Sequence, residues 1–241
     1  MITPYSDGRA KTEQVRDMFN NIAPAYDRLN NAMSFGLDSR WRRIAVDTVV
    51  RAKPRRIIDI ATGTGDFAIS LAKAMPDVVV SGIDLSENMV AIGREKVKAM
   101  GLDNRVNLDV DDCLDSKIQP ESADAVTVAF GVRNFSDLMA GYRAMRRMLR
   151  PGGMICVLEL STPTSGFVRP FYNLYSRVII PLMGRMVSSD RRAYSYLPES
   201  IAAVAQGRQM AEIMAEAGFK DIFIRRLTLG VCTLYTAINP G

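Results

Sequence analysis

Through the middle of the chain, short runs of branched apolar residues alternate with segments of helical apolar spacing. The apolar runs predict strands at 56–60, 78–84, 106–110, 123–130 and 154–160. The segments between them predict helices near 67–75, 86–100 and 136–149. We expect Pro151-Gly152-Gly153 to end the third helix and to begin the fifth strand. This alternation is typical of an α/β fold with a parallel, doubly wound sheet and helices on both faces.

The two ends of the chain follow different patterns. Residues 12–51 have helical spacing that Pro24 interrupts, which predicts an N-terminal helical segment. After the fifth strand, residues 162–206 predict a helical insertion, and a helix near 209–217 follows it. The chain is expected to end in an antiparallel pair of strands, at 222–226 and 231–239.

Length and composition indicate one globular domain. The chain has 241 residues, of which 48% are hydrophobic and 24% are charged. We expect a single domain, 1–241, with four parts. They are an N-terminal helical cap, an α/β core, a helical insertion, and a C-terminal helix with the strand pair, at 12–51, 52–161, 162–206 and 207–241.

Charge and residue types exclude several classes of function. The net charge is +5, but the arginine pairs are dispersed, so we expect no nucleic-acid partner. Histidine is absent, which excludes a histidine zinc site and an imidazole base, and no metal site is expected. The three cysteines lie far apart and indicate free thiols, as in a reducing cytoplasm. Because no apolar run is long enough to span a bilayer, we expect a cytoplasmic protein, at most peripheral to the inner membrane face.

A glycine-rich turn follows the first predicted strand, with Gly63, Thr64 and Gly65 ahead of a helix. A strand, a glycine turn and a helix in this order bring backbone N–H groups close to a nucleotide-like ligand. Asp59 precedes the glycines and Asp66 follows them, and two carboxylates would repel a pyrophosphate but attract a cation. S-adenosylmethionine carries a sulfonium and an ammonium group and no phosphate. The turn therefore favours S-adenosylmethionine over NAD.

Further acids follow the next two strands. Asp84 lies nineteen positions after Gly65, where a carboxylate can accept hydrogen bonds from ribose hydroxyls, although it could instead only begin a turn. After the third strand, Asp111 or Asp112 could reach the adenine amino group, whereas Asp109 could be a solvated strand residue. The predicted cofactor-binding residues are Asp59, Gly63, Thr64, Gly65, Asp84, Leu85, Asp111, Asp112 and Ala129.

These features together resemble the class I S-adenosylmethionine-dependent methyltransferases over roughly residues 50–161. The resemblance implies a Rossmann-like, seven-stranded, mostly parallel sheet whose last strand is antiparallel. The Gly-x-Gly-x-x-Ala pattern alone would also admit an NAD(P)-dependent oxidoreductase. A non-catalytic module that keeps the nucleoside site is a further alternative.

Three more motifs narrow the family. They are the segment 15–30, the run Phe130-Gly131-Val132-Arg133-Asn134-Phe135, and the segment 159–163. With these motifs the chain resembles the demethylmenaquinone/ubiquinone C-methyltransferase family from Val15 to its end, and most closely the bacterial menaquinone branch. The resemblance implies methyl transfer to demethylmenaquinol, which yields menaquinol, with the benzoquinol step of ubiquinone synthesis as the alternative. One position departs from the family: Asp38 stands where members commonly carry histidine.

The resemblance also implies acceptor residues, namely Arg133, Tyr26 and Asn134. A ring carbon is a poor nucleophile until the neighbouring hydroxyl, with a pKa near 10, loses its proton. Arg133 stays protonated, so the base must be a carboxylate, a tyrosinate or a water that an arginine holds. We expect Arg133 to stabilise the phenolate or to orient water, while Tyr26 and Asn134 position the ring. Alternatively, Tyr26 could bond Asp27 at a helix start, and Arg133 could pair with Asp59 or Glu159.

The apolar segment 167–186 has two interpretations. It could be ordinary core, or a lid that receives the isoprenoid tail and touches the bilayer, with Arg169, Arg177 and Arg185 meeting headgroups. The expected partners are thus a prenylated naphthoquinol, a membrane surface in transient contact, and a second copy of the chain in a homodimer.

Overall fold

The computed structural model describes residues 2–5, 7–176 and 191–241, apart from the side chains of 191 and 194. Seven strands form one sheet in the order β3-β2-β1-β4-β5-β7-β6. Strands β1 to β5 pair in parallel, and β7 is antiparallel to both neighbours, as predicted. The strands are β1 (Arg56–Ile60), β2 (Val79–Asp84), β3 (Val106–Val110), β4 (Ala123–Ala129), β5 (Leu149–Leu160), β6 (Lys220–Leu227) and β7 (Cys232–Ile238).

The predicted helices are present between the strands and at both ends. Within the described residues they are α1 (Lys11–Ile22), α2 (Tyr26–Ser34), α3 (Leu37–Arg51), α4 (Asp66–Ala74), α5 (Glu87–Ala99), α6 (Leu138–Met148), α7 (Val168–Leu174), α8 (Arg191–Ala203) and α9 (Arg208–Glu216). Pro24 lies in a short 3-10 turn between α1 and α2, where its missing N–H costs no helical hydrogen bond. Residues 177–190 of the predicted insertion, with Arg177 and Arg185, lie outside the described residues.

Two apolar layers cover the faces of the sheet. On one face, α3, α4 and α5 pack on strand residues such as Ile57, Val80 and Leu158. On the other face, α6 and α9 pack on their neighbours in sequence, such as Ile58 and Val157. Successive strand residues point to opposite faces, so a sheet that is covered on both sides needs unbroken apolar runs. This requirement explains why the central strands β1, β4 and β5 were recognisable in the sequence, whereas the edge strand β3 alternates buried and exposed residues.

A third apolar cluster joins the two ends of the chain. Met18 and Ile22 of α1, Leu29 of α2, and Tyr196 of α8 bury their side chains against one another. Helix α3, although within the predicted cap 12–51, packs against the sheet instead. The helical cap therefore consists of α1, α2 and α8, and the predicted division of the domain stays a prediction. Over the residues with described structure, no helix is both long and apolar enough to cross a membrane.

The Pro151-Gly152-Gly153 turn lies inside β5 and not before it. Ala123 pairs with Leu149 and Ala125 with Met154, so the turn is a bulge in the strand. The Gly152 N–H donates to the carbonyl of Asn239 at 2.8 Å, and the Asn239 N–H donates to the carbonyl of Gly153 at 2.8 Å. These bonds to the end of the neighbouring strand keep the turn in the sheet, which the local sequence could not indicate.

Candidate functional site

A cavity lies at the carboxyl ends of β1 to β4, beneath α1. Protein atoms leave about 740 Å³ free there, part of it open to solvent. Doubly wound sheets bind their ligands at the carboxyl ends of the strands, where the loops after adjacent parallel strands diverge. The cavity lies at that position. Six of the nine predicted cofactor residues line it: Gly63, Asp84, Leu85, Asp111, Asp112 and Ala129.

The glycine turn is shaped by backbone geometry. Gly63 and Gly65 have φ of +56° and +78°, which only glycine adopts without strain. A Cβ on Gly65 would lie 2.9 Å from the Leu108 side chain, so the turn packs tightly against β3. The Gly63 N–H donates to Asp84 Oδ2 at 2.8 Å, which ties the turn after β1 to the end of β2.

Three carboxylates supply the negative charge of this cavity. Asp84 also accepts the Ser86 N–H, and burial raises the pKa of Asp84. Asp111 accepts the Asp112 N–H at 2.9 Å and the Ser116 hydroxyl at 2.6 Å, so both its oxygens serve its own loop. Asp112 accepts the Leu114 N–H through Oδ1, and its Oδ2 has no partner among the described residues. Asp112 is therefore the better placed of the two to meet a ligand.

Asp59, Thr64 and Gly65 do not line the cavity. Asp59 is 1% exposed, and its two oxygens accept the hydroxyls of Thr127 at 2.6 Å and Thr62 at 2.7 Å. Burial raises the pKa of Asp59 to about 6. The Asp59 carboxylate thus links Thr62, just before the glycines, to Thr127 of the neighbouring strand β4 and stabilises the turn.

Asp66 is paired with positively charged neighbours. Its carboxylate pairs with Lys96 and lies 3.5 Å from Arg42. Lys96 also reaches Asp27 at 2.8 Å, and Thr64 donates to Asp27 at 2.7 Å. The carboxylates that line this cavity are Asp84, Asp111 and Asp112, and not Asp59 and Asp66, the two acids that flank the glycines.

One face of α1 closes the cavity, which the sequence interpretation missed. Its cavity-lining residues recur at helical spacing: Thr12, Val15, Arg16 and Phe19. The helix is fastened at both ends. Lys11 donates to the carbonyls of Arg133 and Phe135, and Asn20 accepts the Ser86 hydroxyl at 2.6 Å. The spacing of these residues predicts a helix face, but it does not show which part of the fold that face covers.

A second cavity adjoins the first, between α2, α3, α7 and α8. Protein atoms leave about 670 Å³ free, part of it open to solvent, and most of the lining is apolar or aromatic, including Trp41, Tyr172 and Tyr175. Tyr26 and Phe130 line both cavities. Phe130 has a φ of +60°, a strained conformation for a bulky residue and one that tends to occur at functional sites. The two cavities therefore meet at Tyr26 and Phe130.

The predicted acceptor residues surround this junction. Arg133 lines the second cavity, whereas Asn134 lines the first and accepts the Tyr196 hydroxyl at 3.3 Å. Arg133 Nη1 donates to Glu159 Oε1 at 2.8 Å and to the Phe130 carbonyl. Of the two pairings considered, the one with Glu159 is present. The buried Arg133 Nε has no hydrogen-bond partner among the described residues.

The alternative for Tyr26 is not observed, because the Asp27 carboxylate binds Thr64 and Lys96 instead. Burial raises the pKa of Tyr26, so its hydroxyl keeps its proton. Asp109 is a solvated strand residue, paired with Arg94 at 3.0 Å.

Sequence comparisons match almost the whole chain. The model of the ubiE/COQ5 methyltransferase family matches residues 8–239. A demethylmenaquinone methyltransferase of Bacteroides fragilis is 45% identical over 236 residues, which are 98% of this chain and 96% of the relative. A ubiquinone/menaquinone biosynthesis C-methyltransferase of Geobacter sulfurreducens is 40% identical over 94% of this chain and 88% of its own.

Solved structures share the fold. The [4+2]-cyclase SpnF aligns with a TM-score of 0.66 at 17% identity, over 95% of this chain and 96% of its own. A Haemonchus contortus phosphoethanolamine N-methyltransferase in complex with S-adenosyl-L-methionine aligns with a TM-score of 0.56 at 19% identity, over 78% of this chain; the chain spans 49% of that protein. Identity below 25% supports the fold only, whereas the family match extends along the sequence. The chain belongs to the ubiE/COQ5 methyltransferase family.

Proposed function

We propose that the protein transfers a methyl group from S-adenosylmethionine to a ring carbon of demethylmenaquinol and so forms menaquinol. The observation that carries the proposal is the junction of two unlike cavities at Tyr26 and Phe130. One cavity has carboxylates at the strand ends, and the other is largely aromatic. A polar cofactor and an apolar ring could meet there, and methyl transfer requires that the methyl group and the ring carbon be held close together. The 45% identity to a demethylmenaquinone methyltransferase supports the naphthoquinol.

The first cavity suits a positively charged cofactor that carries ribose and adenine. S-adenosylmethionine supplies a methyl group on a positively charged sulfur. We assign Gly63, Asp84, Leu85, Asp112 and Ala129 to its binding, because their backbone or side chains line the cavity. The free Oδ2 of Asp112 is available to a polar hydrogen of the cofactor. Asp59, Thr64 and Gly65 lie outside the cavity lining and support the glycine turn. Asp111 lines the cavity, but both its oxygens accept hydrogen bonds from its own loop.

Arg133, Tyr26 and Asn134 are proposed to hold the acceptor. The guanidinium of Arg133 places positive charge beside the second cavity, where a quinol oxygen would become negative. Its unpartnered Nε–H supports this role, because an unpaired donor in a buried site is costly unless a ligand meets it. Tyr26 lies at the junction of the cavities, and Asn134 is oriented by Tyr196.

The direct test is a methylation assay. The protein is incubated with S-adenosylmethionine carrying a radiolabelled methyl group and a short-chain demethylnaphthoquinol under reducing conditions. We expect label in the naphthoquinol, little in the corresponding benzoquinol, and no binding of NADH in calorimetry. Preference for the benzoquinol would support the ubiquinone step instead. Cofactor binding without transfer to either quinol would support the non-catalytic alternative, and NADH binding the oxidoreductase.

Arg133→Lys tests the acceptor site separately. We expect turnover to fall by about 100-fold, because the ammonium cannot keep the planar fork of hydrogen bonds, with little change in cofactor affinity. Arg143→Lys on the exposed side of α6 is the matched control and should leave both unchanged. Near-normal turnover of Arg133→Lys would remove Arg133 from the mechanism.

A membrane contact through α7 is proposed for the prenylated substrate. Phe167 and Phe171 are 80% and 66% exposed, and Arg169 beside them is exposed and could meet anionic headgroups. Tyr175 packs on Phe35, so a variant of the two exposed rings disturbs the fold less.

Flotation with phosphatidylglycerol vesicles tests this contact. Wild type should float, the Phe167→Ser/Phe171→Ser variant should not, and Phe223→Ser, an exposed phenylalanine on β6, should behave as wild type. Equal flotation of all three would exclude α7 as the contact. The homodimer and the cytoplasmic location remain predictions, which sedimentation equilibrium and cell fractionation test.

A further inference from the structure

Among the described residues that line the second cavity, Asp38 is the only one with a carboxylate. It is 5% exposed and lies in the first turn of α3. We propose that Asp38 is the catalytic base that takes the proton from the quinol hydroxyl, an inference that rests on the proposed function. The sequence interpretation noted Asp38 only as a departure from the family and left the base unassigned.

The local fold aims the Asp38 side chain into the cavity. Helix α2 ends at Ser34, and the chain reverses through Phe35 and Gly36, both in the left-handed region, with φ of 51° and 74°. Ser34 therefore stays beside the start of α3, and its hydroxyl donates to Asp38 Oδ1 at 2.7 Å. Arg42, one turn further along α3, donates to Oδ2 and provides the countercharge that a buried carboxylate needs.

Room remains on the carboxylate for a substrate. An ionised carboxylate has about four acceptor positions, and the hydrogen bonds from Ser34 and Arg42 occupy two of them. A quinol hydroxyl in the cavity could donate to either oxygen. Arg42 also lines the second cavity, and its positive charge opposes the rise that burial causes in the pKa of Tyr26 at the junction.

The other titratable groups that face the cavity are poorer bases. They are Tyr26 on α2, Arg42 on α3, Arg133 after β4, and Tyr172 and Tyr175 at α7. Burial raises the pKa of all three tyrosines, that of Tyr172 to about 12, so a tyrosinate is disfavoured. The arginines stay protonated. Glu159 lies behind Arg133, and its oxygens accept from Arg133 and from the Leu160 N–H.

The O–H bond of the quinol breaks, its proton moves to an Asp38 oxygen, and the freed electron pair is delocalised into the ring. The adjacent ring carbon forms a bond to the methyl group while the bond between that methyl and sulfur breaks, and its electron pair stays on sulfur. The ring carbon then loses its hydrogen as a proton to solvent, the ring oxygen regains a proton from Asp38, and aromaticity returns. One proton is released in each turnover, and Asp38 ends ionised.

The test compares pH profiles of wild type and Asp38→Asn. At about pH 7 we expect the variant's kcat to be lower by about 100-fold. The variant can use only quinol that has ionised unaided, with a pKa near 10, so its deficit should shrink about tenfold for each pH unit between about pH 7 and 9. Calorimetry with S-adenosylhomocysteine and with the quinol should give affinities within about 3-fold of wild type.

Two further variants complete the experiment. Asp47→Asn, the same change on the exposed side of α3, should follow wild type at every pH. Asp38→Glu keeps a carboxylate and should turn over faster than Asp38→Asn at neutral pH, which tests the proposal even if the asparagine variant folds poorly. Wild-type turnover tests the proposed function by itself. If wild type methylates the quinol while Asp38→Asn is equally fast, or is slower by the same factor at every pH, the assignment to Asp38 is overturned.

Discussion

Removing one partner of the buried pair of Arg133 and Glu159 should be one of the most destabilising single changes near the site. Glu159 accepts the Arg133 guanidinium at 2.8 Å, the Arg133 N–H at 3.2 Å and the Leu160 N–H at 2.8 Å. The two side chains are only 7% and 2% exposed, so solvent cannot replace a lost partner. We therefore expect Glu159→Gln to destabilise the fold strongly.

The magnitude follows from the burial. Removing one partner of a buried ion pair leaves an uncompensated charge and costs about 3–5 kcal/mol. For a chain of this size, each kcal/mol shifts the melting temperature by about 2–4 °C, so the melting temperature should fall by roughly 10 °C. Replacing Arg133 as well removes the stranded charge. The double variant Arg133→Met/Glu159→Gln should therefore be more stable than Glu159→Gln alone.

Urea unfolding followed by tryptophan fluorescence measures this effect. Trp41 is the single tryptophan, is 3% exposed, and its ring centroid lies 6.3 Å from that of Phe130. Phe130 accepts a hydrogen bond from Arg133, so the signal comes from the same region. Glu95→Gln on the exposed face of α5 is the matched control and should change the free energy of unfolding by less than about 0.5 kcal/mol.

Two results would refute the reasoning. Glu159→Gln could unfold at the same urea concentration as Glu95→Gln, which would mean that the pair contributes nothing net. The double variant could also be less stable than Glu159→Gln, which would mean that packing around Arg133, and not charge, determines the loss.

Three further predictions follow from the structure. Burial raises the pKa of Asp59 from 3.8 in the unfolded chain to about 6 in the folded protein, so the folded state binds more protons between these pH values. The contribution of Asp59 to the free energy of unfolding should therefore fall as pH rises from 3.8 to about 6. Urea titrations should show this fall in wild type and not in Asp59→Asn. Burial, and then the charge of Arg133, lower the pKa of Lys11 from 10.5 to about 8, so the unfolded state binds more protons than the folded state between these pH values. In urea titrations, the free energy of unfolding of wild type should therefore rise relative to that of Lys11→Gln between about pH 8 and 10.5. A Cβ on Gly131 would lie 2.5 Å from the Cβ of Ala61, so Gly131→Ala should lower the free energy of unfolding by about 1–3 kcal/mol and weaken cofactor binding in calorimetry. The control Gly166→Ala, whose Cβ would meet no atom within 4 Å, should change neither quantity.

The strands and helices of the sheet could be predicted from the sequence, because strand and helix signals are local. The predicted strands 56–60 and 106–110 have the observed bounds. In the central strand β1 every residue after Arg56 is buried, whereas the edge strand β3 alternates buried Val106 and Leu108 with exposed Asn107 and Asp109. The glycine turn and the acid at the end of β2 were also readable, because φ above zero selects glycine and the end of a strand follows from its apolar run. These signals also located the first cavity.

Which carboxylates line the cavities depends on contacts between distant segments, which the local sequence does not show. Asp59 bonds Thr127, 68 positions away, and Asp66 pairs with Lys96, 30 positions away, and neither partner is implied by local spacing. The same holds for Asp38, which the reversal after α2 places in the second cavity. A side chain's charge is a property of the residue, but whether that charge meets a neighbour or a ligand depends on packing between distant segments.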